Sequence, residues 1–93
     1  MASFNWSADK NRELIANRGV SFEQVVFYIE HGSLLDDIRH PNTRDYAHQR
    51  MFVVNIDGYA YLVPYVESEN EIFLKTVIPS RKFTKLYVGG END

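Results

Sequence analysis

The dipeptide Asp57-Gly58 constrains the fold of this chain more than any other feature. It separates two runs of β-forming residues, Met51 to Ile56 and Tyr59 to about Glu67. A two-residue type I′ turn requires positive φ at both positions, and Asp-Gly is one of the pairs that supply it. Counting outward from the turn places Arg50 opposite Tyr65. The sequence therefore predicts a guanidinium and a phenol as cross-strand neighbours at the open end of the hairpin.

A third β segment, about Glu71 to Ile78, extends the hairpin into an antiparallel meander. Its register places Tyr65 opposite Leu74 and Val63 opposite Thr76. This register holds whichever of two short loops connects the second and third segments.

Pro64 lies inside the second segment and has no N–H to donate, which predicts a bulge or one-sided pairing there. Lys75 is expected beside Pro64, on the face opposite to Thr76. Both faces of the sheet are apolar, so we expect helices to cover one face and a partner or substrate to use the other.

Two helices are predicted before the sheet. Ser7 is a suitable N-cap for a helix that runs to about Arg18, where Gly19 can end it in the left-handed conformation. The second helix begins after Ser21 and stops at Gly32. Its apolar residues share one face of the helix: Phe22, Val25, Val26 and Ile29.

A short strand at Ser3 to Trp6 and a short helix after Ser80 complete the predicted elements. The predicted fold class is α+β, with two N-terminal helices packed on an antiparallel meander of three to four strands and a short C-terminal helix. The 93 residues are expected to form one domain, residues 1–93.

Composition narrows the classes of function. The chain has no cysteine, which excludes disulfides, thiolate metal sites and a cysteine nucleophile. The N-terminus lacks a signal-peptide pattern, and no apolar run approaches the roughly 20 residues that cross a bilayer, so we expect a cytoplasmic protein with no membrane partner. The net charge of −3 weighs against nonspecific coating of nucleic acid.

The connection between Ser33 and Gln49 carries the first candidate site. His40, Arg44 and His48 precede Arg50, which is expected beside Tyr65. Metal-free RNA cleavage needs an imidazole or phenol to move the proton of the 2′-hydroxyl and a guanidinium to hold the charged phosphate. The structural alternative is that Arg50 pairs with an acid at the sheet edge, Tyr65 is a core residue with its hydroxyl at the rim, and the histidines are solvated.

A metal site is the less favoured interpretation of the two histidines. His40 and His48 have only Asp45 as an obvious third ligand, and we predict no metal and no cofactor.

A second candidate site is a run of cations without an intervening acid, between Ile72 and Val88. These cations are Lys75, Arg81, Lys82 and Lys85. They are suited to binding RNA phosphates, and Arg81 is a further candidate for stabilising charge in catalysis. The last three are equally suited to the exposed face of a terminal helix. Arg81 follows a strand that ends near the Asp57-Gly58 turn, about 23 Å from Arg50 at ~3.3 Å per residue, so one phosphate cannot reach both.

Several segments, in order, resemble the BrnT family of type II toxins, which are small RelE-like ribonucleases. They are FNWSADKNRE, GVSFEQV, the RHP of the loop, the strand with Arg50, the VPY that ends at Tyr65, and IPSRK. The resemblance covers nearly the whole chain and implies RNA cleavage, inhibition of translation and neutralisation by a cognate antitoxin. Residues that match by position are His40, Arg50, Tyr65, Arg81 and Lys82.

The leading hypothesis is therefore a metal-independent endoribonuclease toxin that acts on messenger RNA, with RNA, an antitoxin and the ribosome as candidate partners. The competing hypothesis is a noncatalytic module with a toxin-like fold that binds a partner protein. The net negative charge of the chain favours this second hypothesis. Thr76 also favours it, because members of the family commonly have a cation at that strand position. DNA binding through the helix that carries Arg81 and Lys85 is a third hypothesis.

Overall fold

A computed structural model describes residues 3–42, 44–45 and 49–89. In chain order the elements are β1 (Ser3–Trp6), α1 (Ala8–Arg18), α2 (Phe22–Glu30), β2 (Leu34–Arg39), β3 (Gln49–Ile56), β4 (Tyr59–Glu67), β5 (Glu71–Leu74), β6 (Ile78–Pro79) and α3 (Arg81–Phe83), which continues as a π-helical turn (Thr84–Val88). We call residues 81–88 the C-terminal helical segment. Among the described residues, no helix is long and apolar enough to cross a membrane.

The strands form one mixed sheet in the order β1-β5-β4-β3-β2, and β6 also pairs with β4. All pairs are antiparallel except β1 with β5, which is parallel. The α+β class is confirmed, but the predicted antiparallel meander of three to four strands is wrong, because the sheet has six strands and one parallel pair.

The register of the β3–β4 hairpin is confirmed. Asp57 has φ 54° and Gly58 has φ 84°, the two positive values that a type I′ turn needs. Arg50 pairs with Tyr65, and pairing is continuous back to the turn. The Asn55 side chain supports the turn, because its Oδ1 accepts a hydrogen bond of 2.9 Å from the N–H of Gly58.

The third predicted strand is only partly correct. Tyr65 does pair with Leu74, but β5 ends there and residues 75–77 form no strand, so the predicted pairing of Val63 with Thr76 is wrong. Pairing resumes with Ile78 opposite Leu62, one residue out of the earlier register. This break lies beside Pro64, where the sequence predicts a bulge.

The connection predicted between Ser33 and Gln49 contains a strand that the sequence analysis missed. Leu34–Arg39 pairs with β3 as an edge strand, with a register shift between Leu34 and Asp36. An edge strand needs no continuous apolar run, and a bulge breaks the alternation by which strands are recognised.

The two long helices and one face of the sheet enclose the core. We call this the helix-covered face; its buried residues include Phe52, Val54, Ile56, Val63, Tyr65 and Leu74, packed with Leu14, Val20, Phe22 and Val25. Asn11 joins the helices, because its Oδ1 accepts from the N–H of Phe22 at 2.8 Å and its Nδ2 donates to Glu23 at 2.8 Å. The predicted caps are present, since Ser7 accepts from Lys10 N and Ser21 from Gln24 N.

The C-terminal helical segment lies against the opposite face of the sheet. Ser80 N–H donates to the carbonyl of Ala60 at 2.9 Å, and Thr84 Oγ1 accepts from Ala60 N–H at 2.8 Å. At the far end, the Tyr87 hydroxyl donates to Asp36 Oδ2 at 2.6 Å. The expectation that this face stays open for a partner or substrate is therefore wrong for the part between β4 and β2.

Candidate functional site

Arg50 and Tyr65 meet at a carboxylate that the sequence analysis did not identify. The Tyr65 hydroxyl donates to both oxygens of Asp37, at 2.8 and 2.9 Å. Arg50 donates from Nε to Asp37 Oδ1 at 3.1 Å and from Nη2 to the Asp37 carbonyl at 2.9 Å. The Arg50 and Asp37 side chains are 42% and 39% exposed, whereas Tyr65 is 3% exposed. The three groups thus form a cluster at the rim of the helix-covered face.

The β2 bulge determines which way Asp37 points. With strict alternation from Leu34, Asp36 would lie on the same face as Leu34 and Asp37 on the other. The observed pairs instead place Leu34 opposite Val54 and Asp37 opposite Phe52, both on the helix-covered face. One extra residue therefore directs Asp37 toward Arg50 and Asp36 toward Tyr87 on the opposite face.

The cluster keeps Tyr65 protonated. Burial, together with the hydrogen bond to Asp37, raises the pKa of Tyr65 to about 12. The hydrogen bond to Asp37 is also the main cause that raises the pKa of Arg50. Tyr65 is therefore a hydrogen-bond donor at neutral pH and is unsuited to act as a base there. This geometry matches the structural alternative, in which Arg50 pairs with an acid and Tyr65 is a core residue.

Arg39 is a second guanidinium at the same rim. It pairs directly with Arg50 across β2 and β3, so both side chains project from one face. Arg39 is exposed, and its side chain makes no hydrogen bond or ion pair with the described residues. Arg39 and Asp37 were not predicted as site residues, because no strand was predicted at Leu34–Arg39. The alternation of Asp37 and Arg39 with Ile38 is a signal of a strand, but beyond the bulge it is too short to identify one.

The loop residues are less closely associated with this cluster. His40 N–H donates to the Gln49 carbonyl at 3.2 Å, so His40 lies opposite Gln49, the residue before Arg50 in β3. Alternation therefore places the imidazole on the other face from Arg50 and Tyr65. Its Nδ1 accepts from Asn42 N–H at 3.1 Å, so in the neutral ring Nε2 carries the proton. Arg44 is exposed in the loop, and His48 lies outside the described residues.

The structure does not bring the C-terminal cations to Arg50. Ser80, which precedes Arg81, is hydrogen-bonded to Ala60, five residues along β4 from Tyr65, or about 17 Å at ~3.3 Å per residue. The segment that follows Arg81 folds back over the sheet, but on the face opposite to the cluster.

The C-terminal cations are on the surface, and none lies in the rim cluster. Arg81, Lys82 and Lys85 are exposed, and Ser80 caps their short helix by accepting from Phe83 N–H. Exposed Lys75 lies over the ring of Phe73, at 5.6 Å from its centroid.

Thr76 lines a separate polar cleft of about 350 Å³ beside α1. Lys10 and Arg18 contribute positive charge to it, and Lys10 pairs with Glu13 at 3.2 Å. Within the described ranges, no group of three histidine, cysteine or acidic residues is placed to hold a metal ion.

Comparisons with known proteins assign neither a family nor a function to this site. No family model matches the sequence, and no curated protein or solved structure matches it either.

Proposed function

We propose that this chain is the toxin of a type II toxin-antitoxin system, a cytoplasmic endoribonuclease of the BrnT type with a RelE-like fold. In this proposal it cleaves messenger RNA without a metal, on the ribosome or free, and a cognate antitoxin neutralises it. The observation that supports it is the position of Arg50, a partly exposed guanidinium beside Tyr65 at the base of the loop that carries His40.

The proposed chemistry is attack of the RNA 2′-hydroxyl on the adjacent phosphorus. The O–P bond to the 5′-oxygen of the next nucleotide breaks, and a 2′,3′-cyclic phosphate forms. Arg50 stabilises the charge on the phosphoryl oxygens, and the loop histidine His48 removes the 2′-hydroxyl proton and returns a proton to the leaving oxygen. His40, the other histidine predicted for this role, has its imidazole on the opposite face of the sheet from Arg50. With its pKa raised to about 12, Tyr65 fixes the position of Asp37 and Arg50 and transfers no proton.

The remaining cations serve as RNA contacts in this proposal. Arg44 is exposed in the loop between β2 and β3, while Lys75, Arg81, Lys82 and Lys85 are exposed elsewhere. Such contacts position RNA without reading its sequence. Arg81 follows Ser80, whose partner Ala60 is about 17 Å along β4 from Tyr65 at ~3.3 Å per residue, so its role in the proposal is to guide RNA and it has no part in the reaction.

The test compares Arg50→Ala with wild type. Expression of the wild-type protein alone should arrest growth, and the variant should relieve the arrest. In vitro, loss of one phosphate contact should lower the cleavage rate by about 10² to 10³, by analogy with loss of one oxyanion donor. The matched control is Arg12→Ala, which removes the same charge from an exposed position on α1 where Arg12 pairs with Asp9. Equal cleavage by wild type and Arg50→Ala would remove Arg50 from the mechanism.

One observation favours a second function, a noncatalytic module that binds a partner protein. Asp37 already accepts hydrogen bonds from both Arg50 and Tyr65, so these groups have partners without any substrate. Purified protein free of antitoxin, incubated with naked RNA and separately with translating ribosomes, distinguishes the two functions. Absence of cleavage in both reactions would reject the ribonuclease and favour the binding module.

A further inference from the structure

The cross-strand pair of Arg39 and Arg50 is unusual in its charge. Directly opposed residues on one face of an antiparallel pair have Cβ atoms about 4.5 to 5.5 Å apart, and like charges in these positions destabilise the sheet. An anion between the two guanidiniums would turn this repulsion into attraction. The pair therefore has the arrangement of a site for a negatively charged group.

Asp37 compensates only one of the two guanidiniums. It pairs with Arg50, and its carboxylate also accepts from Tyr65. Arg39 remains without a side-chain partner among the described residues. Among Arg39, Arg50 and Asp37, two guanidiniums and one carboxylate leave an excess of one positive charge, which matches the single negative charge of a phosphodiester.

The guanidinium of Arg50 is also held in one orientation before any phosphate binds. Two of its N–H groups, on Nε and Nη2, are directed at Asp37, which fixes the plane of the guanidinium. A guanidinium has five N–H donors in a rigid fork, so the others stay available to a phosphate oxygen. Because little side-chain freedom remains to be lost at Arg50, binding there has a reduced entropic cost.

We propose that Arg39 is a phosphate-binding residue and that, with Arg50, it forms a two-guanidinium site for one phosphate of an RNA backbone. This inference rests on the proposed function for its choice of RNA. The site holds the phosphate and does not read the base, because the neighbouring aromatic ring of Tyr65 is stacked on Phe52 at 4.0 Å and is 3% exposed. The contact therefore contributes affinity and position without sequence specificity.

The experiment measures binding of a short single-stranded RNA with 2′-O-methyl riboses, which cannot be cleaved, at several salt concentrations. Arg39→Ala should weaken binding about 5- to 10-fold and reduce the slope of log K against log salt by about 0.7, the value for one lost phosphate contact on a single strand. Arg39→Lys should retain the slope but only part of the affinity, because lysine lacks the fork. Arg12→Ala, with the same charge change, should match wild type.

Further measurements distinguish an RNA phosphate from free phosphate as the ligand, and distinguish failure of this inference from failure of the proposed function. Inorganic phosphate that competes with the RNA only at far higher concentrations supports a backbone site, whereas equal competition overturns the choice of RNA. The inference is overturned if Arg39→Ala binds the RNA with the affinity and salt slope of wild type. It is also overturned if the wild-type protein does not bind the RNA. Because the probe is not cleaved, its binding can depend on Arg39 even if the ribonuclease proposal fails. Conversely, the wild-type protein can cleave RNA while Arg39→Ala leaves the salt slope of binding unchanged. That result rejects the role of Arg39 and leaves the ribonuclease proposal standing.

Discussion

Replacing Tyr65 with phenylalanine tests the rim cluster directly. The substitution removes only the hydroxyl that donates to Asp37 at 2.8 and 2.9 Å and leaves the stacked ring in place. A hydrogen bond to a charged group contributes about 1.5 to 3 kcal/mol, and the partly exposed Asp37 can regain water, so we expect a loss of about 1 to 2 kcal/mol at neutral pH. In a domain of this size, each kcal/mol corresponds to a decrease in Tm of about 4 to 8 °C.

The pH dependence gives the sharper result. The pKa of Tyr65 is raised from 10 to about 12, so the folded state holds the phenolic proton more tightly than the unfolded state. The corresponding stabilisation is complete below pH 10 and is lost as the pH rises through about 12. Two pH units correspond to about 2.7 kcal/mol, which we reduce to about 1 to 2 kcal/mol because water reaches Asp37 and Arg50, the partly exposed partners of the buried hydroxyl.

Urea unfolding at a series of alkaline pH values measures this effect. The difference in unfolding free energy between wild type and Tyr65→Phe should be constant below pH 10 and shrink above it. Tyr61→Phe is the matched control, since Tyr61 lies on the same strand and face and its hydroxyl makes no hydrogen bond with the described residues. A wild-type advantage over Tyr65→Phe that stays constant at every pH would refute the reasoning.

Two further predictions concern the hairpin turn and the opposite face of the sheet. Gly58→Ala should lower the unfolding free energy by about 1 to 2 kcal/mol through the left-handed backbone alone, since no atom beyond the adjacent residues lies within 4 Å of the added Cβ. Gly58→Asn should recover part of that loss in the same urea titration, and equal losses would contradict the backbone explanation. Tyr87→Phe should raise the pKa of Asp36 toward its ordinary value, because the hydrogen bond from Tyr87 is the main cause that lowers it. An NMR titration of Asp36 that is identical in wild type and variant would contradict this.

Much of the fold could be predicted from local signals. The helix caps at Ser7 and Ser21 and the break beside Pro64 depend on residues close in sequence, and all were found where expected. The edge strand β2 could not be predicted in this way. Its pairing depends on β3 across a long connection, and its bulge removes the alternation that a period-two count requires.

For the candidate site, the sequence by itself determined that Arg50 and Tyr65 are neighbours. The Asp57-Gly58 turn sets the register of the whole hairpin, and each residue outward from it follows by counting. This part of the site depends on one turn and on the chemistry of two residues.

Only the tertiary structure decided what Arg50 and Tyr65 contact. A single extra residue in β2 directs Asp37 to them and leaves Arg39 opposite Arg50, while the C-terminal helical segment is held on the other face, with Arg81 far from the cluster. These relations join parts of the chain distant in sequence, and their geometry depends on pairing and packing that no local pattern specifies.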